Sequence, residues 1–142
     1  MPITFRHLRT YQGTKTVKAC PMSRLDAEKE LARIIKPACE NEHGYLVEYK
    51  DGYRSWSPQS AFEEAYRPAE SYIDRMNIEC NELAKRRDSL HNFFNTQKFK
   101  ELDNFDQYLL LHQYTAMGDY LSVLIMRIER AENNNPDKAN TL

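Results

Sequence analysis

The sequence predicts an α+β protein: a small antiparallel β-sheet with short helices at the N-terminus, then a long antiparallel two-helix hairpin at the C-terminus. Three observations predict it. Asp51-Gly52 lies between two short runs rich in aromatic and aliphatic residues, Gly44 to Tyr49 and Tyr53 to Trp56, the pattern of a β-hairpin. Beyond Ala69, two long stretches repeat apolar residues at steps of three and four, the period of packed helices. The connector between them is short, and helices so joined return antiparallel. The expected divisions are a β-rich part over 1–68, a helical hairpin over 69–133 and a disordered tail over 134–142.

Thr14-Lys-Thr-Val-Lys-Ala19 alternates as a strand does and should end at Pro21. Ser23 offers a hydroxyl cap, with Asp26 completing a capping box, for a short helix from Arg24 to about Ile35. Leu25, Leu31, Ile34 and Ile35 would be its apolar side, and Pro37 stops it before a loop to His43. Gly44-Tyr-Leu-Val-Glu-Tyr49 and Tyr53-Arg-Ser-Trp56 form the hairpin strands, with Asp51-Gly52 expected in a tight primed turn. Ser57-Pro58 reads as an N-cap followed by proline at the first helical position. That helix carries Phe62 and ends before Tyr66.

The first hairpin helix has a seam of Ile73, Met76, Cys80, Leu83, Arg87, Leu90 and Phe94, interrupted once by Arg87. A charge there either reaches outward or meets a partner across an interface. Asn95-Thr96 and a short Phe99/Leu102 turn break the pattern. Asn104 with Gln107 would cap the second helix, whose seam is Leu110, Tyr114, Met117, Leu121, Leu124, Ile128 and Ala131. A two-helix hairpin has little interior. Leu109, Leu111, Tyr120 and Ile125, with Tyr72 and Phe93, are left outside the seams, and self-association is the expected cover.

Composition narrows the function. The chain has 142 residues, 20 basic against 21 acidic side chains and a net charge of -1. A protein that grips long nucleic acid usually carries a basic surface, so that class is disfavoured. A small anion needs only a few arginines. Three scattered cysteines without a CxxC pair and four histidines without ligand spacing point to no metal, no cofactor and a reducing, cytoplasmic setting. No apolar run approaches a membrane span of about 20 residues. No nucleophile elbow, P-loop, GxGxxG or HExxH occurs, so no catalytic residue is nominated.

Arg127 and Arg130, three apart near the end of the second helix, have the spacing and chemistry of a phosphate clamp, and equally that of a solvated pair beside Glu129 and Glu132. Lys85 and Arg86 read as a solvated face. Tyr66, Phe99 and Tyr120 are the aromatics least accounted for by a core. A ring beside an arginine is what a nucleotide site requires.

The order of these parts resembles a known family. Lys15-Thr-Val-Lys-Ala-Cys-Pro-Met22, Gly44-Tyr-Leu-Val-Glu-Tyr49, Trp56-Ser-Pro58, Phe62 and Tyr66-Arg67-Pro68 are similar to the N-terminal half of a group of small phage proteins. Arg75-Met76, Glu79 to Leu83, Phe99, Leu102, Leu110, Met117, Tyr120-Leu121, Leu124 and Arg127-Ile128 resemble the hairpin shared by the phage Thoeris anti-defence sponges and the anti-CBASS cyclic-nucleotide sponges. The β-rich part makes the Thoeris type the closer match. The resemblance implies a non-enzymatic protein in the cytoplasm of an infected bacterium. Such a protein captures cyclic ADP-ribose-type signals (gcADPR) made by TIR enzymes and releases them unaltered on denaturation. It also implies a homo-oligomer built from dimers, a hexamer in some members, with cyclic oligonucleotides as a further ligand class. The implied ligand-binding residues are Arg127, Arg130 and Phe99, in a pocket between subunits, and Tyr66. Cyclic-dinucleotide binders use a tyrosine and a lysine near the start of the hairpin; Tyr66 is the counterpart of the tyrosine, and where the lysine is expected this chain reads Glu79-Cys80-Asn81. The competing reading, from the residues alone, is an interaction module that uses its hairpin only to assemble.

Overall fold

The structure, a computed structural model, describes residues 8–36 and 42–135. The tail from 136 on, most of the Pro37–His43 loop, His7 and Cys39 lie outside the described residues. The architecture is α+β, in the order β1 (Lys18–Pro21), α1 (Arg24–Leu31), β2 (Gly44–Glu48), β3 (Arg54–Pro58), α2 (Gln59–Ala65), α3 (Tyr72–Phe93), α4 (Gln97–Glu101) and α5 (Asn104–Asn133). The chain divides into two compact units between Tyr66 and Arg67.

In the first unit the three strands form an antiparallel sheet in the order β1-β2-β3. Val47 is its most enclosed side chain, on the central strand, and Ala27 of α1 is fully buried. Gly44 has no room for a Cβ: one would overlap the Ser57 carbonyl and the Trp56 ring. Trp56 donates its indole N–H to the Met22 carbonyl at 2.8 Å. Tyr45 stacks on Phe62 of α2, and Phe62 on Tyr66.

Several local expectations shift. β1 begins at Lys18 rather than Thr14, because its ladder partner β2 ends at Glu48, opposite Lys18, and nothing pairs with earlier residues. Pro21 sits inside this edge strand, where a missing donor is tolerated. Helix α1 stops at Leu31 rather than Ile35, since Ala32 turns left-handed at φ 52°. Leu25 and Ile34 are accordingly exposed, and no continuous apolar side forms. The hairpin turn is not a primed two-residue turn. Positive φ is confined to Gly52 at 88°, and Tyr49 and Tyr53 close a three-residue loop with the 2.8 Å Tyr49 N–H to Tyr53 carbonyl bond. Ser57 does not cap α2. It pairs with Tyr45 in the ladder, and Pro58 takes the N-cap position.

The second unit is the hairpin, with α3 packed against α5. Its seams are those the period predicts. Met76, Leu83, Leu124 and Ile128 are buried, and every other seam position is half-buried. Ser71 and Asp74 form a full capping box at the start of α3. Asp103, not Asn104, caps α5, accepting from the Asp106 amide at 2.8 Å. Gln107 does different work. Its side-chain amide donates to the carbonyls of Phe99 and Leu102, satisfying the end of α4.

Candidate functional site

Arg127 and Arg130 lie on the last turns of α5, where carbonyl dipoles favour cations. Both are exposed, and among the described residues neither guanidinium forms a hydrogen bond or ion pair. They are unsatisfied forks on a rigid helix, suited to a phosphate oxygen pair.

What flanks them follows from the antiparallel register. The Tyr120 hydroxyl donates to the Glu79 carboxylate, tying α5 to α3 at that level. Two turns farther along α5 stands Arg127, and two turns back along α3 stands Tyr72, so the heptads set these at one level. Tyr72 is 57% exposed. Tyr120 titrates above the ordinary 10.0, first because of the hydrogen bond to Glu79, then through desolvation and the carboxylate's charge, while the Arg127 cation pulls the other way. This flank of the hairpin therefore carries a cation, two phenol rings and a carboxylate. The sequence marks Tyr120 as an aromatic not accounted for by a core and Tyr72 only as an uncovered one, and it pairs neither with Arg127. Their signal was a position beside the seam and in phase with Arg127.

Phe99 lies elsewhere. It sits on α4 at the connector end, half-buried against Phe94 at 5.0 Å and Phe93 at 6.0 Å. Phe93, expected to lack cover, obtains part of it from this contact. Between the start of α5 and Arg127 are some six helical turns, roughly 35 Å at 1.5 Å per residue. One chain does not bring Phe99 to Arg127. Tyr66 belongs to the other compact unit, where its ring stacks on Phe62 at 5.0 Å.

Much of α5 outside the seam is apolar and uncovered: Phe105 is 67% exposed, Tyr108 59% and Met126 54%. Leu109, Leu111, Tyr120 and Ile125 are exposed as well. Among the described residues no cluster of ligand-type side chains could hold a metal, and no helix is long and apolar enough to cross a membrane. In the first unit, a cleft of about 370 Å³ lined by Pro21, Met22, Asp26 and Tyr45 holds no lysine or arginine.

Residues 70–130, the hairpin almost end to end, match the family model described as Sequestin. No curated protein and no solved structure matches the chain.

Proposed function

With a hairpin that belongs to the Sequestin family over residues 70–130, the phage Thoeris and CBASS anti-defence sponges, we propose that this protein sequesters cyclic ADP-ribose-type signals made by TIR enzymes. An anti-defence sponge in general binds a small signalling molecule and performs no chemistry on it. The finer reading rests on one observation above others: Arg127 and Arg130 are exposed guanidinium groups on the matched helix, unpaired among the described residues. A compact nucleotide dianion is the ligand such a pair fits.

The distance between Phe99 and Arg127 supports a pocket shared by two copies. A second hairpin laid antiparallel on the first brings its Phe99 toward the neighbour's arginines, and the exposed apolar face of α5 gives that contact something to bury. The dimer so formed is the building block, and a larger ring such as a hexamer extends it. Binding in a partly desolvated interface strengthens a guanidinium–phosphate pair well beyond its worth on an open surface. Cyclic oligonucleotides are a second ligand class of the same reading, and the cytoplasm of the infected host is where either signal would be met.

Complementation tests this reading. Phe99→Ala and the double variant Arg127→Glu/Arg130→Glu should each lose cyclic ADP-ribose binding by more than about 100-fold, a loss of roughly 2.7 kcal/mol or more. Co-expressed, the two should recover part of the capacity, because one mixed site keeps both wild-type contributions. No recovery, with both variants folded and assembled, would remove the shared pocket. If the oligomer forms normally while neither parent chain nor variants bind any nucleotide, the hairpin is an assembly module.

A further inference from the structure

One seam position carries a charge, and the structure shows how it is seated. Arg87 is half-buried on α3. Its guanidinium carbon lies 4.0 Å from the centre of the Tyr114 ring, and its Nε donates to the Tyr114 carbonyl at 3.4 Å. His91, one turn on, stacks against the same ring at 5.6 Å. Gly118, one turn beyond Tyr114 in the middle of α5, makes the room: a Cβ there would stand 2.9 Å from an Arg87 terminal nitrogen and 3.1 Å from its Nε.

Two features here run against the rules the rest of the hairpin obeys. A leucine-type position holds a cation, and a helix interior holds glycine, the least favourable helix former after proline. Within the chain they gain no ion pair, since among the described residues no carboxylate reaches Arg87. The terminal guanidinium nitrogens, the Tyr114 hydroxyl and the His91 ring nitrogens have no hydrogen-bond partner there either. None of these atoms is sealed from solvent. Arg87 and His91 thus meet on the Tyr114 ring, and the free donors of all three side chains are open. Local violations of this kind, offset within the chain only by a cation–π contact and one long hydrogen bond, mark sites kept for something outside the chain.

We propose that Arg87, His91 and Tyr114 form an oxyanion site for a phosphate or pyrophosphate group, separate from Arg127 and Arg130, with Gly118 as the residue that admits the guanidinium. Arg127 lies nine residues past Gly118, roughly 14 Å along α5, too far to share one phosphate. The proposal does not depend on the capture of cyclic ADP-ribose.

The test uses inorganic pyrophosphate as probe and the Arg127→Glu/Arg130→Glu chain as background, so that only other sites report. Calorimetric titration should find one pyrophosphate site in that background. Adding Arg87→Leu should weaken it at least tenfold while raising the melting temperature, because leucine fits the seam. Adding Gly118→Ala, which keeps the arginine but displaces its fork, should weaken binding several-fold with the fold retained. No pyrophosphate binding in the background chain overturns the site, as does unchanged affinity in Arg87→Leu. Loss of the oligomer in Arg87→Leu with pyrophosphate binding intact also overturns it, and assigns the guanidinium to a carboxylate of a second copy.

Discussion

The two units of this chain solve the same problem in different ways. The N-terminal unit closes over a small core, Val47 and Ala27, through contacts that each need a particular residue: Gly44 against Trp56, the Trp56 indole on the Met22 carbonyl, Gly52 at positive φ. The hairpin instead relies on repetition. Any one seam position resembles the next, and it leaves a long apolar face of α5 open. A unit of periodic contacts leaves a face to spare, which the proposed second copy would cover, and Arg127 and Arg130 lie exposed on the same helix.

Substitutions can break that contrast, beginning with the most buried positions. Leu124→Ala, at a fully buried seam position, should destabilise the hairpin by about 2–5 kcal/mol and also weaken assembly, read by thermal melts and light scattering. Val47→Ala should destabilise the sheet by roughly 2 kcal/mol while leaving the oligomer and ligand binding intact. Parallel loss of assembly in both variants would contradict the division of labour. Gly52→Ala places a Cβ at φ 88° and should cost about 1–2 kcal/mol in the sheet unit alone. Trp56→Phe removes one indole donor and should cost about 1 kcal/mol, leaving the Met22 carbonyl unpaired.

The smallest effect is a titration. Tyr120 has a raised folded pKa, so its hydrogen bond to Glu79 is fully present below pH 10 and is lost as pH rises through the folded value. In a spectroscopic titration of phenolate absorbance, Glu79→Gln should lower the midpoint of one tyrosine toward 10.0. An identical curve for the variant would show that the tie does not form.

The same contrast explains what the sequence revealed. The seams from Ile73 to Phe94 and from Leu110 to Ala131 were legible because a period is a property of the sequence itself. The start of β1 was not, because a strand begins where its partner begins, and that depends on residues some thirty positions away. Ser57 looked like a cap until the ladder with Tyr45 claimed it, and Gln107 looked like half a capping box until it turned to the α4 carbonyls. The arginine pair was visible by spacing alone. That Tyr72 and Tyr120 flank Arg127, and that Arg87 meets Tyr114 and Gly118, was not, since each depends on which turn of α3 faces which turn of α5. The separation of Phe99 from Arg127 follows from helix length only once the connector is known to leave Phe99 at its own end.

The most direct test of the central claim is capture and release. The protein is mixed with the products of an active TIR enzyme and filtered, then the retained fraction is heated, and both fractions are read by mass spectrometry. The account predicts that a cyclic ADP-ribose-type signal disappears from the filtrate and returns with unchanged mass after heating, and that the Arg127→Glu/Arg130→Glu chain leaves it in the filtrate. A signal that stays in the filtrate with the parent chain, or returns hydrolysed, would contradict it.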